Sequence, residues 1–145
     1  MTQSDSRLLR AGALLALLAL AGCGALSGLT SKSETAQTLN EFRIANGRAP
    51  LQTDANLIAL AQAHALDMAR RDTLDHAGFM ERRGPRGARA ENVAYGCTDS
   101  ACTIRMWVNS SGHRTNMLRP DVTKYGLASA KSASGKTYWT LMVGE

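Results

Sequence analysis

The chain is poor in the side chains with which proteins usually build metal centres and redox sites. Among its 145 residues there are only 3 histidines and 3 cysteines. Cys97 and Cys102 are not accompanied by a second ligand pair at zinc-finger spacing, so a zinc module of that kind is excluded. Internal repeats and low-complexity segments are absent as well.

The N-terminal apolar run is too short to cross a bilayer. Ala11–Leu20 holds about ten residues, whereas a membrane-spanning helix needs roughly twenty. Arg7 and Arg10 precede this run, and small residues follow it, which is typical of a secretory signal. We therefore predict a signal peptide over residues 1–22 and an exported protein.

The residues at the end of this signal resemble a bacterial lipobox. In Leu-Ala-Gly-Cys, the cysteine, Cys23, would be acylated and become the new N-terminus, which anchors the protein to a membrane. By the same resemblance, Gly24 in place of aspartate implies the outer membrane if the cell is Gram-negative. The alternative is an ordinary secreted protein. Residues 23–32 are expected to be a flexible tether, because serine, glycine and threonine are frequent there.

Export also bears on the two remaining cysteines. With Cys23 taken by lipid, Cys97 and Cys102 form an even pair in a compartment where oxidation is allowed. A disulfide between them would close a small loop and stabilise the fold by about 2 kcal/mol. We predict this disulfide as a local staple within a single domain over residues 33–145.

Hydrophobic periodicity predicts helices first and strands last. The first helix is expected over residues 33–47 with Ser33 as its cap, and the second over 56–71 with Thr53 or Asp54 as its cap. A third helix is expected over 100–109. Strands are expected over 92–95, 125–130 and 138–143. In the last strand Trp139, Leu141 and Val143 lie on one face. This order indicates an α+β domain in which helices cover the sheet.

The formal net charge of +5 is concentrated in one segment. Arg82, Arg83, Arg86 and Arg89 stand among glycines and a proline, which is typical of a loop. Such a loop could meet anionic lipid or acidic polysaccharide, but we favour a solvated, mobile loop. No nucleic-acid-binding motif accompanies it, so a nucleic-acid partner is not expected.

The three histidines fall within fifty residues of each other and share that stretch with Glu91. Imidazole can act as base, acid or metal ligand near neutral pH, so His64, His76 and His113 are candidate site residues. Each also has a structural interpretation. His64 lies on the apolar stripe of the second helix, and we favour a packing role for it. Glu91 could anchor a loop by accepting backbone N–H groups. His113 could cap or open a short helix.

Three strings carry a family resemblance. They are AQAHALDMA over residues 61–69, followed by Asp75 and His76; AENVA over 90–94; and WVNSSGHRTNML over 107–118. Together and in this order they resemble the CAP superfamily, which includes cysteine-rich secretory proteins, venom allergens, plant pathogenesis-related proteins and short bacterial SCP-like members. The resemblance extends from about residue 33 to the closing Tyr-Trp-Thr strand.

The resemblance implies a three-layer α-β-α sandwich with a cleft. In members with the full pattern two histidines and two acids line that cleft, and by motif these would include His76, His113 and Glu91. The second acid of the family falls where this chain has Asn109, Ser110 and Ser111. The fourth member is therefore missing, and a four-residue site is not carried over.

The chemistry open to this set is limited. His76, His113 and Glu91 could bind Zn²⁺ and leave a position for an activated water. No His-Glu-x-x-His helix supports that interpretation. Ser110 beside His113 could form a nucleophile and base, but no elbow motif surrounds it, and serine hydrolysis is disfavoured.

Three functions follow from this pattern. We favour an envelope binding module for a lipid, a glycan or a protein, because lipid and sterol binding is the activity that the family resemblance implies. The alternatives are a metal-assisted hydrolase of peptide or ester bonds and a structural envelope protein without a ligand. Enzymatic activity is left undecided with a leaning against it, no cofactor is required, and a monomer is expected.

Overall fold

The computed structural model describes Thr38–Glu145. The predictions of a signal peptide, a lipidated Cys23 and a tether lie outside these residues. The helices are α1 (Leu39–Ala45), α2 (Ala55–Arg71), α3 (Ser100–Val108) and α4 (Ser111–Met117), and the strands are β1 (Gln52–Thr53), β2 (Ala88–Tyr95), β3 (Lys124–Lys131) and β4 (Thr137–Gly144). None of the helices in this part of the chain combines the length and apolar character that crossing a membrane requires.

Helix α1 begins later than the sequence pattern predicts. Thr38 is its N-cap and forms a capping box with Glu41: the Thr38 hydroxyl accepts from the Glu41 N–H, and the Glu41 carboxylate accepts from the Thr38 N–H. These bonds satisfy two otherwise unpaired donors. The assignment of Ser33 as the cap is therefore wrong. An apolar residue of this helix, Ile44, is 60% exposed.

Helix α2 is the element that the sequence predicted best. Asp54 caps it by accepting the Leu57 N–H, and Leu57, Ala61, Ala65 and Met68 are buried along one face. This is the stripe expected of an amphipathic helix at three- and four-residue steps. The helix ends at Arg71.

The sheet has the strand order β1-β3-β4-β2. Strand β1 pairs in parallel with β3, whereas β4 pairs antiparallel with both β3 and β2. Strand β2 begins at Ala88, four residues before the predicted start, because its early alanines pair with the end of β4. The hairpin of β3 and β4 agrees with the prediction within one residue at most ends.

Helices cover both faces of this sheet, which confirms the three-layer sandwich. Trp139, Leu141 and Val143 of β4 pack with buried residues of α1, α3 and α4 on one face. On the other face, Tyr138 and Met142 pack against α2. Because both faces are covered, β4 is buried along almost its whole length rather than on alternate residues.

A disulfide joins Cys97 to Cys102 and confirms the predicted pairing. It lies between the end of β2 and the first turn of α3, whose N-cap Asp99 accepts the Cys102 N–H. The Cys97 carbonyl accepts the indole N–H of Trp139 at 2.9 Å. The staple thereby fixes the start of α3 against β4.

The arginine-rich segment is ordered helix rather than a solvated loop. Residues Phe79–Arg83 form one turn of π-helix, and Gly84–Arg86 form a 3₁₀ turn. Arg82 and Arg86 are exposed, as expected. Arg83 is only 4% exposed, so the prediction of a solvated loop is wrong for this residue.

Candidate functional site

Glu91 is the buried centre of the site. It lies on β2 between two covered faces, and its side chain is 2% exposed. Its oxygens accept three hydrogen bonds from side chains: from Arg83 Nε at 2.5 Å, from Arg83 Nη2 at 2.9 Å and from His76 Nδ1 at 2.8 Å. A buried carboxylate requires such partners, because an unpaired charge is very costly away from water.

These partners correct one interpretation of Glu91. The sequence suggested that its carboxylate anchors a loop through backbone N–H groups, but every side-chain partner found in the described residues is a guanidinium or an imidazole. Glu91 instead joins β2 to the π-helical turn and to the segment that carries His76.

Arg83 is the site residue that sequence reasoning missed. Its guanidinium binds Glu91 in a two-point arrangement and also donates to the carbonyls of His76 and Ala77. The π-helical turn rotates this side chain inward, and its guanidinium lies 5.8 Å from the centre of the Phe79 ring. A run of arginines among glycines gave no sign that one of them is buried.

His76 presents its second nitrogen to solvent. Since the carboxylate of Glu91 accepts, Nδ1 of His76 is the protonated nitrogen in the neutral ring and Nε2 is left without a proton. The His76 side chain is 54% exposed. Glu91 thus fixes the ring through Nδ1, and Nε2 has no hydrogen-bond partner within residues 38–145, so it can act as an acceptor or a metal ligand.

His64 lies beneath the site rather than in it. It is 3% exposed and donates from Nε2 to the Asp75 carbonyl at 2.9 Å, while the same nitrogen is 3.7 Å from Glu91 Oε1. Burial lowers the pKa of His64 more than the neighbouring Glu91 raises it. These contacts make His64 a buried, hydrogen-bonded packing residue and place it directly behind Glu91.

His113 lies in the first turn of helix α4 and is not among the residues that line the cleft. Asn92 of β2 donates to the His113 carbonyl at 3.0 Å, and Asn116 donates to both the Glu91 carbonyl and the Asn92 side chain. Burial, and secondarily the charge of His76, lowers the pKa of His113. The centre of the His113 ring lies 6.3 Å from the centre of the Trp107 ring.

Ser110 does not form the arrangement of a serine nucleophile. It is the N-cap of α4, and its side chain makes no capping hydrogen bond. No bond joins its hydroxyl to His113 in the part of the chain that the structure describes. Activation of a serine requires such a base within hydrogen-bond reach.

An open cleft of about 590 Å³ lies in front of His76 and Glu91. Its apolar lining residues include Phe79, which is half-buried, and Met80, which is 75% exposed. Its polar lining residues include Asn116 and two arginines. The lining comprises His76, Ala77, Gly78, Phe79, Met80, Glu81, Arg89, Ala90, Glu91, Asn116 and Arg119. A cleft of this size can accept a small ligand or part of a larger one.

The donor set for a metal ion is incomplete. Over residues 38–145, no group of three or more histidine, cysteine, aspartate or glutamate side chains is arranged to hold one. Glu91, the expected third ligand beside His76 and His113, already accepts three hydrogen bonds. The three-ligand zinc site stays a prediction, and His76 is the one imidazole among the described residues that line the cleft.

Solved structures share this fold at low sequence identity. An outer surface protein from Borrelia burgdorferi superposes with a TM-score of 0.61 and 18% identity over 74% of this chain and 86% of that one. An extracellular protein containing a SCP domain from Bacillus anthracis gives a TM-score of 0.59 and 23% identity, over 74% of this chain and 38% of that one. These likenesses concern the fold alone.

Two relatives come from Bacillus subtilis strain 168. The uncharacterized membrane protein YlbC is 29% identical over 107 residues, 68% of this chain and 31% of that protein. The uncharacterized protein YkwD is 30% identical over 118 residues, 75% of this chain and 45% of that protein. The chain thus spans less than half the length of either relative. The family described as CAP, cysteine-rich secretory protein family, matches residues 36–143, and the chain belongs to it.

Proposed function

We propose that this CAP domain is a binding module of the cell envelope, exported and anchored through Cys23, that holds a ligand in the cleft before His76 and Glu91. The observation that carries the proposal is the bonding of Glu91. Its carboxylate accepts three hydrogen bonds inside the protein, so it shapes the wall of the cleft and is not poised to activate water. A fixed, mostly preformed wall suits binding.

Among a lipid, a glycan and a protein, the walls of the cleft favour a lipid. Met80 exposes a large flexible apolar side chain at one side, and Phe79 lies beside it. Methionine adapts its shape to irregular apolar ligands. The same cleft is lined by Asn116 and by the half-exposed side chain of His76, which can bind a polar head group. An amphiphilic molecule would use both kinds of lining residue.

Two observations support an envelope location. The N-terminal sequence has the layout of an export signal followed by a lipobox-like string, Leu-Ala-Gly-Cys. Proteins of the same fold include one named as an outer surface protein and one named as extracellular. A ligand present in membranes or in the wall would be available there.

Native mass spectrometry of protein purified from its own membranes in mild detergent tests the proposal. We expect a copurified lipid on the unaltered protein and its loss from Met80→Gln. Met106→Gln is the matched control, because Met106 is 41% exposed on α3 and does not line the cleft. A protein without any copurified lipid, or equal retention by both variants, would contradict the lipid proposal.

A second candidate function rests on the orientation of His76. A carboxylate that accepts from one ring nitrogen directs the other outward, as occurs for histidines that bind metals. His76 and His113 could hold Zn²⁺ together with water or a ligand atom, which is the starting point for the metal-assisted hydrolase. With two donors on the protein, no catalytic step is assigned.

Calorimetric titration with zinc separates the two candidates. If the metal site exists, His76→Ala and His113→Ala each abolish binding, whereas His64→Gln, behind Glu91, leaves it unchanged. Absence of zinc binding by the unaltered protein would end the metal proposal. If neither zinc nor lipid is found, the remaining interpretations are a glycan or protein ligand and a structural role without a ligand.

A further inference from the structure

A second cavity, of about 410 Å³, lies beside the cleft and shares Arg119 with it. Three arginines line this cavity, Arg48, Arg114 and Arg119, together with one carboxylate among its described lining residues, Asp121. Arg48 lies in the loop between α1 and β1, Arg114 on α4, and Arg119 just after that helix. Two separate stretches of chain thus bring three cations to one cavity.

The single carboxylate is already bound by one of these arginines. Arg119 donates to Asp121 through Nε at 3.0 Å and through Nη2 at 2.6 Å. Asp121 therefore neutralises Arg119 and leaves the charges of Arg48 and Arg114 uncompensated. Arg114 donates from Nη1 to the Val108 carbonyl, which orients its guanidinium without neutralising it. The Arg48 side chain has no hydrogen-bond or ion-pair partner within residues 38–145.

A fourth guanidinium lies beneath this cavity. Arg43 is 2% exposed, and it donates to the carbonyls of Ala49, Met117 and Arg119. These bonds satisfy carbonyls at the end of α4 but supply no negative charge. Burial lowers the pKa of Arg43 and Arg48 lowers it further, so the two cations repel each other. The cavity thus has three guanidinium groups and one carboxylate in its described lining, and the buried guanidinium of Arg43 close by.

We propose that this cavity, lined by Arg48, Arg114, Arg119 and Asp121, is an anion site that binds a phosphate group. A phosphate carries more oxygens and more negative charge than a carboxylate, and its tetrahedral oxygens can bind two guanidinium groups from different sides. The cavity has room for more than the bare anion. The phosphate therefore belongs to an ester, either of a small polyol or sugar or of a lipid head group.

The site is distinct from the ligand cleft of the proposed function. It draws on Arg48 and Arg114, neither of which lines the cleft, and it does not involve Met80 or His76. Arg119 borders both cavities and is left unaltered in the test for that reason. The two proposals can therefore be tested separately: phosphate binding can be absent while lipid binds in the cleft, and lipid binding can be absent while phosphate binds.

The test uses calorimetry on the full chain in a non-ionic detergent. The probes are inorganic phosphate, glycerol 3-phosphate and phosphatidylcholine vesicles that contain phosphatidic acid. We expect saturable binding that Arg48→Gln and Arg114→Gln each weaken at least tenfold. Arg70→Gln is the control of equal charge change, because Arg70 is exposed on α2 and is not part of the cavity lining; we expect less than a twofold effect.

The results show whether the site binds phosphate and which kind of phosphate ester it binds. Binding of glycerol 3-phosphate supports a soluble ester, and binding of the vesicles alone supports a lipid head group. Arg48→Lys and Arg114→Lys keep the charge and should retain part of the affinity, which also shows that loss in the glutamine variants is not a loss of folding. Absence of binding by every probe, or equal weakening by Arg70→Gln, would overturn the proposal.

Discussion

Glu91 determines the electrostatics of the site because one buried carboxylate has three potentially cationic neighbours. Arg83 binds it directly, His76 donates to it from the cleft side, and His64 lies 3.7 Å behind it. Arg83 and Glu91 are both almost fully buried, so neither can be hydrated if the other is lost. A substitution that removes either charge of this pair is therefore expected to lower the stability of the protein strongly.

Glu91→Gln should destabilise the protein by about 3 kcal/mol or more, because removal of one partner leaves the other as an uncompensated buried charge. The measurement is urea unfolding followed by circular dichroism. The control is Arg82→Gln, next to Arg83 in sequence but exposed, for which we expect a change within about 0.5 kcal/mol. A loss below about 1 kcal/mol for Glu91→Gln would show that the pair is not desolvated in solution.

The histidines give the stability a dependence on pH. Burial lowers the pKa of His64 and of His113 below the value of about 6.5 that an unfolded chain has. Below that pH the unfolded chain takes up protons that the folded chain resists, so stability is complete above about 6.5 and falls as the solution becomes more acidic.

We therefore expect the urea midpoint to fall between about pH 7.5 and about pH 5.5, and to fall less in His64→Gln. Exposed carboxylates do not confound this window, because the hydrogen bonds from Arg71 lower the pKa of Asp67 and Asp75. They lose their contribution only in stronger acid. A midpoint that stays constant over this range in the unaltered protein would refute the expectation.

A site residue could be predicted from the sequence only where a local motif indicates its role. His76 and Glu91 belong to recognisable strings, and the structure brings them to 2.8 Å. Arg83 could not be foreseen, since its burial follows from a π-helical turn, a rare geometry without a sequence signature. Ser110 was considered because it precedes His113, but proximity in sequence does not place a hydroxyl against an imidazole ring.

At the scale of elements, the sandwich depends on a close approach of α2 to the sheet. Gly126 of β3 lies directly under the first turn of α2, where a β-carbon on this residue would overlap the backbone of Leu57 and Ile58. No atom can occupy that space without moving the helix or the strand. The glycine is thus required by packing rather than by a turn.

Gly126→Ala should destabilise the protein by about 2 kcal/mol or more, because the backbone of α2 must shift away from β3. Thermal unfolding measures the change. Gly112→Ala is the matched control: this glycine lies in α4 with open space around its α-carbon, so alanine should be neutral or stabilise by up to about 1 kcal/mol. Equal effects of the two substitutions would mean that the approach at Gly126 is looser than described.

Elements were predictable where caps and periodicity agree. Helix α2 has an aspartate cap and an unbroken apolar stripe, and its prediction was correct within one residue at its start. Helix α1 was placed too early, because Ser33 and Thr38 both resemble caps and only the capping box with Glu41 decides between them. The first half of β2 was missed because alanine and arginine carry little preference for a strand, and tertiary pairing with β4 decides the outcome.

At the scale of the whole molecule, two adjacent cavities of different chemistry border Arg119. The lining of the cleft combines apolar and polar residues, whereas three of the seven residues that line the neighbouring cavity are arginines. A ligand with an apolar part and a phosphate group could extend across both. A membrane component can be the ligand only if the protein lies at a membrane. The N-terminal sequence predicts such a location.

Cys23→Ser should leave an uncleaved precursor without lipid, because the cysteine is both the acylated residue and the one that cleavage exposes in a lipobox. Intact mass measurement should show residues 1–22 still attached, and the unaltered protein should partition into detergent with acyl chains on its N-terminal residue. The double variant Cys97→Ser with Cys102→Ser is the matched control. It removes the remaining two cysteines and the disulfide but should leave processing and acylation unchanged. Cleavage of Cys23→Ser at the usual site would show ordinary secretion and would remove the membrane anchor from the proposed function.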